Sequence, residues 1–570
     1  MRKGETKVNR SIIDNISHTG SWRNRAAALL VSGALVGTMA GSMGAAAAPE
    51  RAWAADGSVT ITQVANPDAT YDAYRLFTAD IDDQNMASNV AWDASVDTGK
   101  QTALVTQLGQ DYIDWLKANK GVDDAGVDTA KVIAQNALEY ISAQIVASVG
   151  TGVHDPKWPS GESFANGFAK WVHDNIQPAG TATQGVEFTG PEGYYLFLTT
   201  ATTLDPDDTT DMATLPIWFP LGGAATTVDE KAAAPSIDKE VQEDSNNAWG
   251  DYADYEIGQE IPYRITVTIP DNYGGFTSFK ALVTDNLSAG LSVSADDVQV
   301  FVGDADTGTE VTDKFDINVA GQTLTVGNDN TLDGTTGVSE ITPGCTLTIT
   351  YTATLTGADI VYGDDGNPNT ATFEFSNDPH ATTTGTTTEV GAKVYTFAVN
   401  VDKMDKVTNQ VLSGAEFVIK NAEGKFLKDG AWTADTQDDA QKFVTNAQGV
   451  ITDIKGLDAG TYTLIETKAP DSYELPANPE ITLVVTPAYD GDGNLTGLTG
   501  TVTGAFATGD TGNTSADTGT VGVDVTNDKN VTLALTGAAG VGLGGAAVVA
   551  VGLGWYLVRT RRNRAEQQDA

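Results

Sequence analysis

One stretch of the chain alternates strictly, Cys345-Thr-Leu-Thr-Ile-Thr-Tyr-Thr-Ala-Thr-Leu355. Threonine takes every second position, and apolar or aromatic residues take most of the others. Successive side chains of a strand point to opposite faces, so this pattern predicts a long strand that buries one face. A second stretch, Ile261-Pro-Tyr-Arg-Ile-Thr-Val-Thr-Ile269, predicts another such strand. Together they favour a β-sandwich.

The same pattern extends along the chain in both directions. Short alternating strands, bounded by Gly and by Asn or Asp clusters, fill residues 231–392 and again residues 393–532. Residues 55–230 begin and end with strands, but residues 100–177 carry apolar stripes at helical spacing. We therefore predict a mainly β chain of three tandem immunoglobulin-like sandwich domains with these bounds, the first with a helical insertion.

The composition excludes several classes of function. The chain has 570 residues, too many for one core, and its 33 basic and 76 acidic residues give a net charge of −43. This balance excludes nucleic-acid binding through phosphates and argues against docking on an anionic membrane. A single cysteine, Cys345, excludes an internal disulfide, and we expect its thiol to be buried in a strand. We expect no cofactor and no metal.

The two ends of the chain differ from the middle. Basic residues precede an apolar run, Ala26 to Ala48, and a small-x-small pattern follows at Ala52-Trp53-Ala54. This arrangement predicts a signal peptide at residues 1–54, cleaved between Ala54 and Ala55. At the other end, residues 538–558 carry no charge and predict a transmembrane helix, with residues 559–570 as a basic cytoplasmic tail. The middle is therefore expected outside the cell.

Five residues lie directly before the predicted span: Leu533, Ala534, Leu535, Thr536 and Gly537. Motif, span and basic tail in this order resemble the cell-wall sorting signal of Gram-positive surface proteins. In that family a sortase cuts between Thr and Gly and transfers the Thr carbonyl to an amine. The resemblance implies cleavage after Thr536 and anchoring to peptidoglycan. The usual second residue is Pro, so Ala534 leaves the class of sortase open.

The middle module resembles the isopeptide-forming domain of shaft (backbone) subunits of sortase-assembled pili. The resemblance lies in Pro235-Ser-Ile-Asp-Lys239, Val283-Thr-Asp285 and Asn367-Pro-Asn369. It implies a covalent bond between Lys239 and Asn369, with Asp285 as the acid. Asn377 and Asn367 are rivals for Asn369.

The third module resembles a CNA-B-like domain with a so-called E-box. Its matching segments are Lys403-Met-Asp405, Gly460-Thr-Tyr-Thr-Leu-Ile-Glu466-Thr-Lys-Ala-Pro470 and Val525-Thr-Asn527. The resemblance implies a bond between Lys403 and Asn527, with Glu466 as the acid. Lys406 and Asn530 are the local rivals.

The first module lacks such a set. Thr199 stands where the register of the E-box places Glu466, and the opening strand has no lysine. We predict no bond of this kind in residues 55–230.

The implied chemistry needs burial. Desolvation lowers the pKa of a lysine and raises that of a carboxyl, so a neutral amine can attack an amide whose oxygen receives a hydrogen bond. Ammonia leaves, and each domain reacts once on itself, so the protein is not a turnover enzyme. Each bond would tie the first strand of a module to its last and would replace the missing disulfides.

A pilus shaft also needs an amine that receives the next subunit. By resemblance this amine is Lys231, in Thr227-Val-Asp-Glu-Lys231, and Lys239 is its main rival. Each link of the shaft would then join Thr536 of one subunit to Lys231 of the next. Asp490-Gly-Asp-Gly-Asn494 begins like a calcium loop but lacks its later positions, so we predict a hairpin turn there.

These features predict a structural pilus shaft protein that sortase polymerises and anchors to the wall and that supports adhesion. The implied partners are sortase, identical subunits and peptidoglycan, together with tip or minor pilins and host glycans or matrix proteins. Two rival functions stay open. One is a monomeric wall-anchored adhesin or minor pilin, which has no use for Lys231. The other is a cell-surface hydrolase, for which acidic residues are plentiful but unorganised.

Overall fold

The computed structural model describes residues 56–62, 68–82, 84–148, 164–200, 204, 211–222, 225–229, 234–276, 278–363 and 365–530. The predicted signal peptide with its cleavage site, Lys231, the sorting motif and the predicted transmembrane segment lie outside these residues. Within the described residues, no helix is both long enough and apolar enough to cross a membrane.

The first unit, residues 56–229, combines two sheets with a group of helices. Its elements are β1 (Asp56–Thr62), β2 (Thr70–Ile81), β3 (Ala87–Trp92), α1 (Thr98–Lys120), α2 (Val127–Ala130), α3 (Ala134–Ser148), α4 (Phe164–Asn175), β4 (Gly180–Thr183), β5 (Glu187–Pro191), β6 (Gly193–Thr199), β7 (Ile217–Leu221) and β8 (Thr226–Asp229). One sheet has the order β5-β1-β8 and the other β3-β2-β6-β7, with β4 beside β2. The expected helical insertion is therefore present between β3 and β4.

Strand β6 explains how the helices attach. Its successive side chains Leu196 and Phe197 point to opposite faces and belong to two different cores. Leu196 packs with the helical residues Tyr140 and Phe168, whereas Phe197 packs with Val59 of the small sheet. A strand buried on both faces carries a continuous apolar run, as Gly193–Thr199 does.

The middle unit, residues 234–395, is a sandwich of two sheets. Its strands are β9 (Ser236–Gln242), β10 (Trp249–Gly250), β11 (Tyr252–Asp254), β12 (Glu260–Thr268), β13 (Ala281–Leu287), β14 (Leu291–Val293), β15 (Gln299–Val302), β16 (Thr309–Glu310), β17 (Asp316–Ala320), β18 (Thr323–Asn328), β19 (Thr346–Leu355), β20 (Asn367–Ser376), β21 (Thr384–Thr386) and β22 (Val390–Tyr395). The sheets have the orders β10-β9-β12-β19-β15-β16 and β11-β22-β20-β13-β18-β17, with β14 beside β19 and β21 beside β20. The two alternating stretches of the sequence, now β12 and β19, are antiparallel neighbours.

The C-terminal unit, residues 397–530, is a second sandwich. Its strands are β23 (Phe397–Asp405), β24 (Glu416–Lys420), β25 (Phe426–Lys428), β26 (Ala431–Ala434), β27 (Phe443–Val444), β28 (Val450–Leu457), β29 (Gly460–Lys468), β30 (Glu480–Tyr489), β31 (Leu495–Thr503), β32 (Ala507–Ser515) and β33 (Thr520–Asn527). The sheets have the orders β28-β23-β33-β32 and β26-β25-β24-β29-β30-β31, with β27 beside β24. The first strand, β23, and the last, β33, are parallel neighbours.

Polar contacts join consecutive units. Ala213 of the first unit donates its N–H to the Asn377 carbonyl at 2.8 Å, and its own carbonyl accepts from Asn272 Nδ2 at 2.9 Å. At the other joint, Tyr462 donates its hydroxyl to Glu256 at 3.1 Å, and Tyr489 donates to Asp254 at 2.8 Å. The mainly β, tandem-sandwich architecture predicted from the sequence is thus observed.

Two local predictions have different outcomes. The predicted turn at Asp490–Asn494 is confirmed, because Asp490 Oδ1 accepts the N–H groups of Asp492 and Asn494 at 2.9 Å between β30 and β31. The prediction that Cys345 is buried is wrong. Cys345 is half-buried, because it precedes the first residue of β19 and packs only partly against the core of the middle unit.

Candidate functional site

The residues predicted for the middle module lie together in the core of the middle unit. We call Lys239, Asp285, Asn369 and Tyr351 the middle site. Lys239 on β9 and Tyr351 on β19 come from one sheet, and Asp285 on β13 and Asn369 on β20 come from the other. Asp285 is paired with Ala371 in the ladder, so Asn369, two residues away, shares its face of the sheet as a diagonal neighbour.

Direct contacts connect the middle site. Lys239 Nζ lies 2.8 Å from Asp285 Oδ1 and 2.8 Å from the Tyr351 hydroxyl. Tyr351 donates its hydroxyl proton to Asp285 Oδ2, and Asn369 Nδ2 donates to the Tyr351 oxygen at 2.7 Å. Asn369 Oδ1 is buried without a hydrogen-bond partner. Asp285 and Asn369 are therefore connected by hydrogen bonds through Tyr351 and share no direct hydrogen bond.

The middle site is sealed from solvent. The exposed fraction is 1% for Lys239 and 0% for both Asp285 and Asn369. The rings of Tyr263 and Tyr351 stack at 5.3 Å, and Lys239 Nζ lies 5.0 and 5.3 Å from their centroids. Burial lowers the pKa of Lys239, although Asp285 opposes the shift, and burial raises the pKa of Tyr351 well above its usual value.

Sequence reasoning missed Tyr351. Its position in the alternating stretch indicates that its side chain faces the core, where a phenol needs a hydrogen-bond partner. Nothing in a single strand indicates which strands lie across from it.

The residues predicted for the third module also lie together, and we call Lys403, Glu466 and Asn527 the C-terminal site. Lys403 on β23 is paired with Val525 of β33, so Asn527, two residues on, shares its face within the same sheet. Glu466 on β29 reaches them from the opposite sheet. All three side chains are buried, with at most 1% exposed.

The contacts in the C-terminal site differ from those in the middle site. Asn527 Nδ2 donates to Glu466 Oε2 at 3.2 Å and to the Glu474 carbonyl at 3.0 Å, and Lys403 Nζ donates to the Val525 carbonyl at 3.5 Å. Glu466 Oε1 and Asn527 Oδ1 are buried without partners. Burial lowers the pKa of Lys403 and raises the pKa of Glu466, while the attraction between the two groups opposes both shifts.

The rival residues have other environments. Lys406 is exposed and pairs with Asp528 at 2.8 Å, and Asn530 is exposed. Asn367 is buried, but it donates to the carbonyls of Val361 and Val394 and accepts from the Val361 N–H. Asn377 accepts from the Thr383 hydroxyl at 2.8 Å. None of the four makes a hydrogen bond to the lysine or the acid of the site for which it was considered.

The first unit has no comparable set among its described residues. Thr199 is buried on β6, and its hydroxyl accepts the Thr214 N–H at 2.9 Å. No lysine in the described part of residues 56–229 is buried.

A third lysine–acid–asparagine set occurs near the joint between the middle and C-terminal units. Lys393 Nζ donates to Asn494 Oδ1 at 2.8 Å, and Asn494 Nδ2 donates to Asp490 at 3.2 Å. Lys393 and Asn494 are half-buried, and Asp490 is exposed. Backbone hydrogen bonding at Asn494 holds the pKa of Asp490 below its usual value. This set has the same residue types as the middle and C-terminal sites, but its side chains are far less buried.

One group of carboxylates has a spacing that a cation could use. Ligand atoms of Asp402, Asp510 and Asp524 lie within 4.8 Å of one another, and all three residues are half-buried. Asn513 Nδ2 donates to Asp402 at 2.6 Å and to Asp510 at 2.7 Å. This bridging amide accounts for the close approach of two of the carboxylates without an ion.

Part of the chain is similar in sequence to known proteins. Residues 397–496 match the family model described as SpaA, prealbumin-like fold domain. The trypsin-resistant surface T6 protein of Streptococcus pyogenes serotype M6 is 26% identical over 267 residues, which are 43% of this chain and 45% of that protein. The chain thus spans about half the length of the curated relative it matches.

Solved structures of pilins are also similar. The T6 backbone pilin of serotype M6 Streptococcus pyogenes, described as a modular three-domain structure, has 15% identity and a TM-score of 0.49, over 84% of this chain and 100% of that one. The full-length major pilin SpaD of Corynebacterium diphtheriae has 16% identity and a TM-score of 0.44, over 84% and 98%. The predicted resemblance is confirmed by the match of residues 397–496 to the SpaA family model and by the sequence similarity to the T6 surface protein.

Proposed function

We propose that this chain is the shaft subunit of a sortase-assembled pilus and that two intramolecular Lys–Asn isopeptide bonds stiffen it. The observation that carries the proposal is the presence, in two separate cores, of a lysine, an acid and an asparagine that are each at least 99% buried. Buried charged groups are rare unless they are paired, and two matching sets in one chain are hard to attribute to packing alone.

The environment of each lysine favours attack on the amide. A lowered pKa supplies the neutral amine that a nucleophile requires, and the dry core holds it near the asparagine. The Nζ lone pair forms a bond to Cγ, and the carbonyl pair moves to Oδ1. When that pair returns, the Cγ–Nδ2 bond breaks and ammonia leaves, after one proton has moved from Nζ to Nδ2.

In the C-terminal site the acid is suited to this step. Glu466 has a raised pKa, so it carries a proton more readily than an exposed glutamate. Glu466 Oε1 and Asn527 Oδ1 both lack partners, and a proton shared between them would satisfy both and stabilise the charge that develops on Oδ1. The Glu474 carbonyl accepts from Nδ2, the atom that leaves.

The two bonds would carry force differently. In the C-terminal unit the bond would link adjacent parallel strands, the first and the last, so pulling on the ends of the unit could not separate them. In the middle unit the bond would link β9 of one sheet to β20 of the other, and β21 and β22 follow β20. The expectation that both bonds join a first to a last strand therefore holds only for the C-terminal unit.

The proposed export and polymerisation steps use residues outside the described ranges. Signal peptidase would cut between Ala54 and Ala55, and sortase would cleave Leu533–Gly537 after Thr536. Lys231, which lies in the chain between β8 and β9, would receive the Thr536 carbonyl of the next subunit. Head-to-tail linkage of this kind yields open filaments, and transfer to peptidoglycan would end them.

Intact mass spectrometry of the exported chain tests the two bonds. We expect the wild-type mass to be lower than the mass calculated from the sequence by two ammonia molecules. Asp285→Asn and Glu466→Gln should each be lower than their calculated masses by only one. An unmodified wild-type mass would contradict both bonds.

Polymer ladders in cell-wall extracts test the assembly. We expect Lys231→Ala to abolish them and Lys314→Ala, at an exposed lysine of the middle unit, to preserve them. Ladders that persist in Lys231→Ala would assign the amine to another lysine. The absence of ladders in the native strain would favour a monomeric adhesin.

A further inference from the structure

The Tyr351 hydroxyl contacts each of the three groups that the proposed reaction uses. Its oxygen accepts from Lys239 Nζ at 2.8 Å and from Asn369 Nδ2 at 2.7 Å, and its proton goes to Asp285 Oδ2. A hydroxyl has one donor and two acceptor positions, so these contacts use its full capacity. The nucleophilic nitrogen and the leaving nitrogen are thus both one hydrogen bond from the same oxygen.

We propose that Tyr351 is a catalytic residue of the middle site and that its hydroxyl transfers a proton from Lys239 Nζ to the departing Nδ2 of Asn369. This inference rests on the proposed Lys239–Asn369 bond. It assigns a role to a residue that the resemblance to pilins did not single out.

The proposed reaction conserves protons and electrons. Neutral Nζ carries two protons when its lone pair bonds to Asn369 Cγ, and the carbonyl pair moves to Oδ1. The pair on Oδ1 then returns to re-form the carbonyl, and the Cγ–Nδ2 bond breaks. Nδ2 keeps the bonding pair and takes the Tyr351 proton, which turns from Asp285 Oδ2 toward it, while the Tyr351 oxygen takes one proton from Nζ. The products are a secondary amide and ammonia, and the tyrosine is regenerated.

The geometry leaves the acid no direct route to the leaving group. Asp285 makes no hydrogen bond to Asn369, and both of its oxygens are used by Lys239 and Tyr351. Burial raises the pKa of Tyr351 well above its usual value, so the hydroxyl stays protonated and available as a donor. The carboxylate can orient this hydroxyl and stabilise positive charge on Nζ, but the transfer to Nδ2 needs the phenol.

The C-terminal site provides an internal control. Glu466 contacts Asn527 Nδ2 directly, and Tyr473, which approaches from the same segment as Glu474, donates to Asp405 instead. A hydroxyl transfer is therefore required in the middle site and not in the C-terminal site.

The test measures the rates of both bonds in the full chain. Cells are pulse-labelled and quenched in acid, and the cross-linked Lys239–Asn369 and Lys403–Asn527 peptides are quantified by mass spectrometry after digestion. Tyr351→Phe keeps the ring and removes the hydroxyl. We expect it to slow the middle bond by about a hundredfold or more, as for loss of a general acid–base group, and to leave the C-terminal bond at the wild-type rate.

Tyr273→Phe is the matched control, because Tyr273 is a buried tyrosine of the same unit whose hydroxyl donates only to Thr331, at 2.9 Å. We expect it to leave both bonds at the wild-type rate. Protease resistance of the middle unit establishes that each variant folds. If Tyr351→Phe does not fold, fluorotyrosine at position 351 keeps the ring and the hydroxyl but makes the phenol more acidic, and we expect a several-fold change in the middle rate alone.

The outcomes separate the two proposals. A folded Tyr351→Phe chain that forms the middle bond within about threefold of the wild-type rate overturns the role of Tyr351 and leaves the bond itself standing. An unchanged rate with fluorotyrosine has the same meaning. A wild-type chain without the Lys239–Asn369 peptide overturns both.

Discussion

The middle and C-terminal sites contain the same three residue types but build them differently. In the middle site, the lysine and the asparagine come from opposite sheets, and a tyrosine connects the acid to the amide. In the C-terminal site, the lysine and the asparagine lie on adjacent strands of one sheet, and the acid contacts the amide directly. The proposed chemistry therefore needs three groups buried in one core and places few demands on the strands that supply them.

The Lys393–Asp490–Asn494 set shows what else is needed. Its contacts are as short as those of the two buried sites, yet Asp490 is exposed and its pKa is lowered. An exposed carboxyl stays ionised, so Asp490 cannot supply the proton that the reaction requires. Burial, more than proximity, distinguishes the two candidate sites from this one.

The largest expected effect is the loss of a whole bond. Asn369→Ala and Asn527→Ala each remove the electrophile, and each bond would close a loop of well over a hundred residues. We expect each change to lower the free energy of unfolding of its own unit by about 4–5 kcal/mol, from loop-closure entropy. Calorimetry of the exported chain measures this, with Asn530→Ala, at an exposed neighbour, as the control. If only one of the two variants lost stability, only the unit that carries that variant would contain a bond.

The acids are expected to have the next largest effect. Glu466→Gln keeps the shape of the side chain but removes the exchangeable proton, and Asp285→Asn removes the oxygen pair that accepts from Lys239 and Tyr351. Each change should slow its own bond by about a hundredfold to ten-thousandfold. Time-resolved intact mass after a translation pulse measures both rates. If Asp285→Asn retained more than a tenth of the wild-type rate, Asp285 would not be the essential acid of the middle site.

The pH dependence should separate the sites. In the C-terminal site, Glu466 has its pKa raised to about 7 and Lys403 has its pKa lowered to about 8. Below pH 7 the amine is an ammonium ion, and above pH 8 the acid has lost its proton. The rate of the C-terminal bond should therefore peak between these values and fall about tenfold per pH unit on either side.

The middle bond should lack the fall above pH 8, because the raised pKa of Tyr351 keeps its hydroxyl protonated there. Cross-linking during cell-free synthesis at pH 6 to 10 measures both profiles in one molecule. Superimposable profiles would mean that the two sites use the same acid chemistry.

The last variant, Asn494→Ala, is expected to have no effect on cross-linking. Asn494→Ala removes the amide of the exposed set, and we expect no difference in the number of ammonia molecules lost, because Lys393 and Asp490 are in contact with solvent. Intact mass of the variant beside the wild type checks this. A gain of one ammonia relative to the wild type would show a third bond and would remove burial as the deciding property.

The sequence by itself determined much of the architecture. Alternation at Ile261–Ile269 and at Cys345–Leu355 predicts half-buried strands because a strand repeats every two residues, and both stretches form neighbouring strands. Through the resemblance to pilin domains, short motifs also singled out a lysine, an acid and an asparagine in each module, and the structure brings each set together in one core. The helical period at 100–177 likewise predicted the insertion in the first unit.

Only the tertiary structure decided how these strands face one another. Periodicity indicates which face of β19 is buried, but it does not indicate that Tyr351 meets Asp285 and Asn369 from the other sheet. It also does not show that β20 precedes two further strands, or that Cys345 is half-buried just before β19. The physical reason is that spacing along a strand is local, whereas burial and contact depend on the packing of two sheets whose strands are distant in the chain.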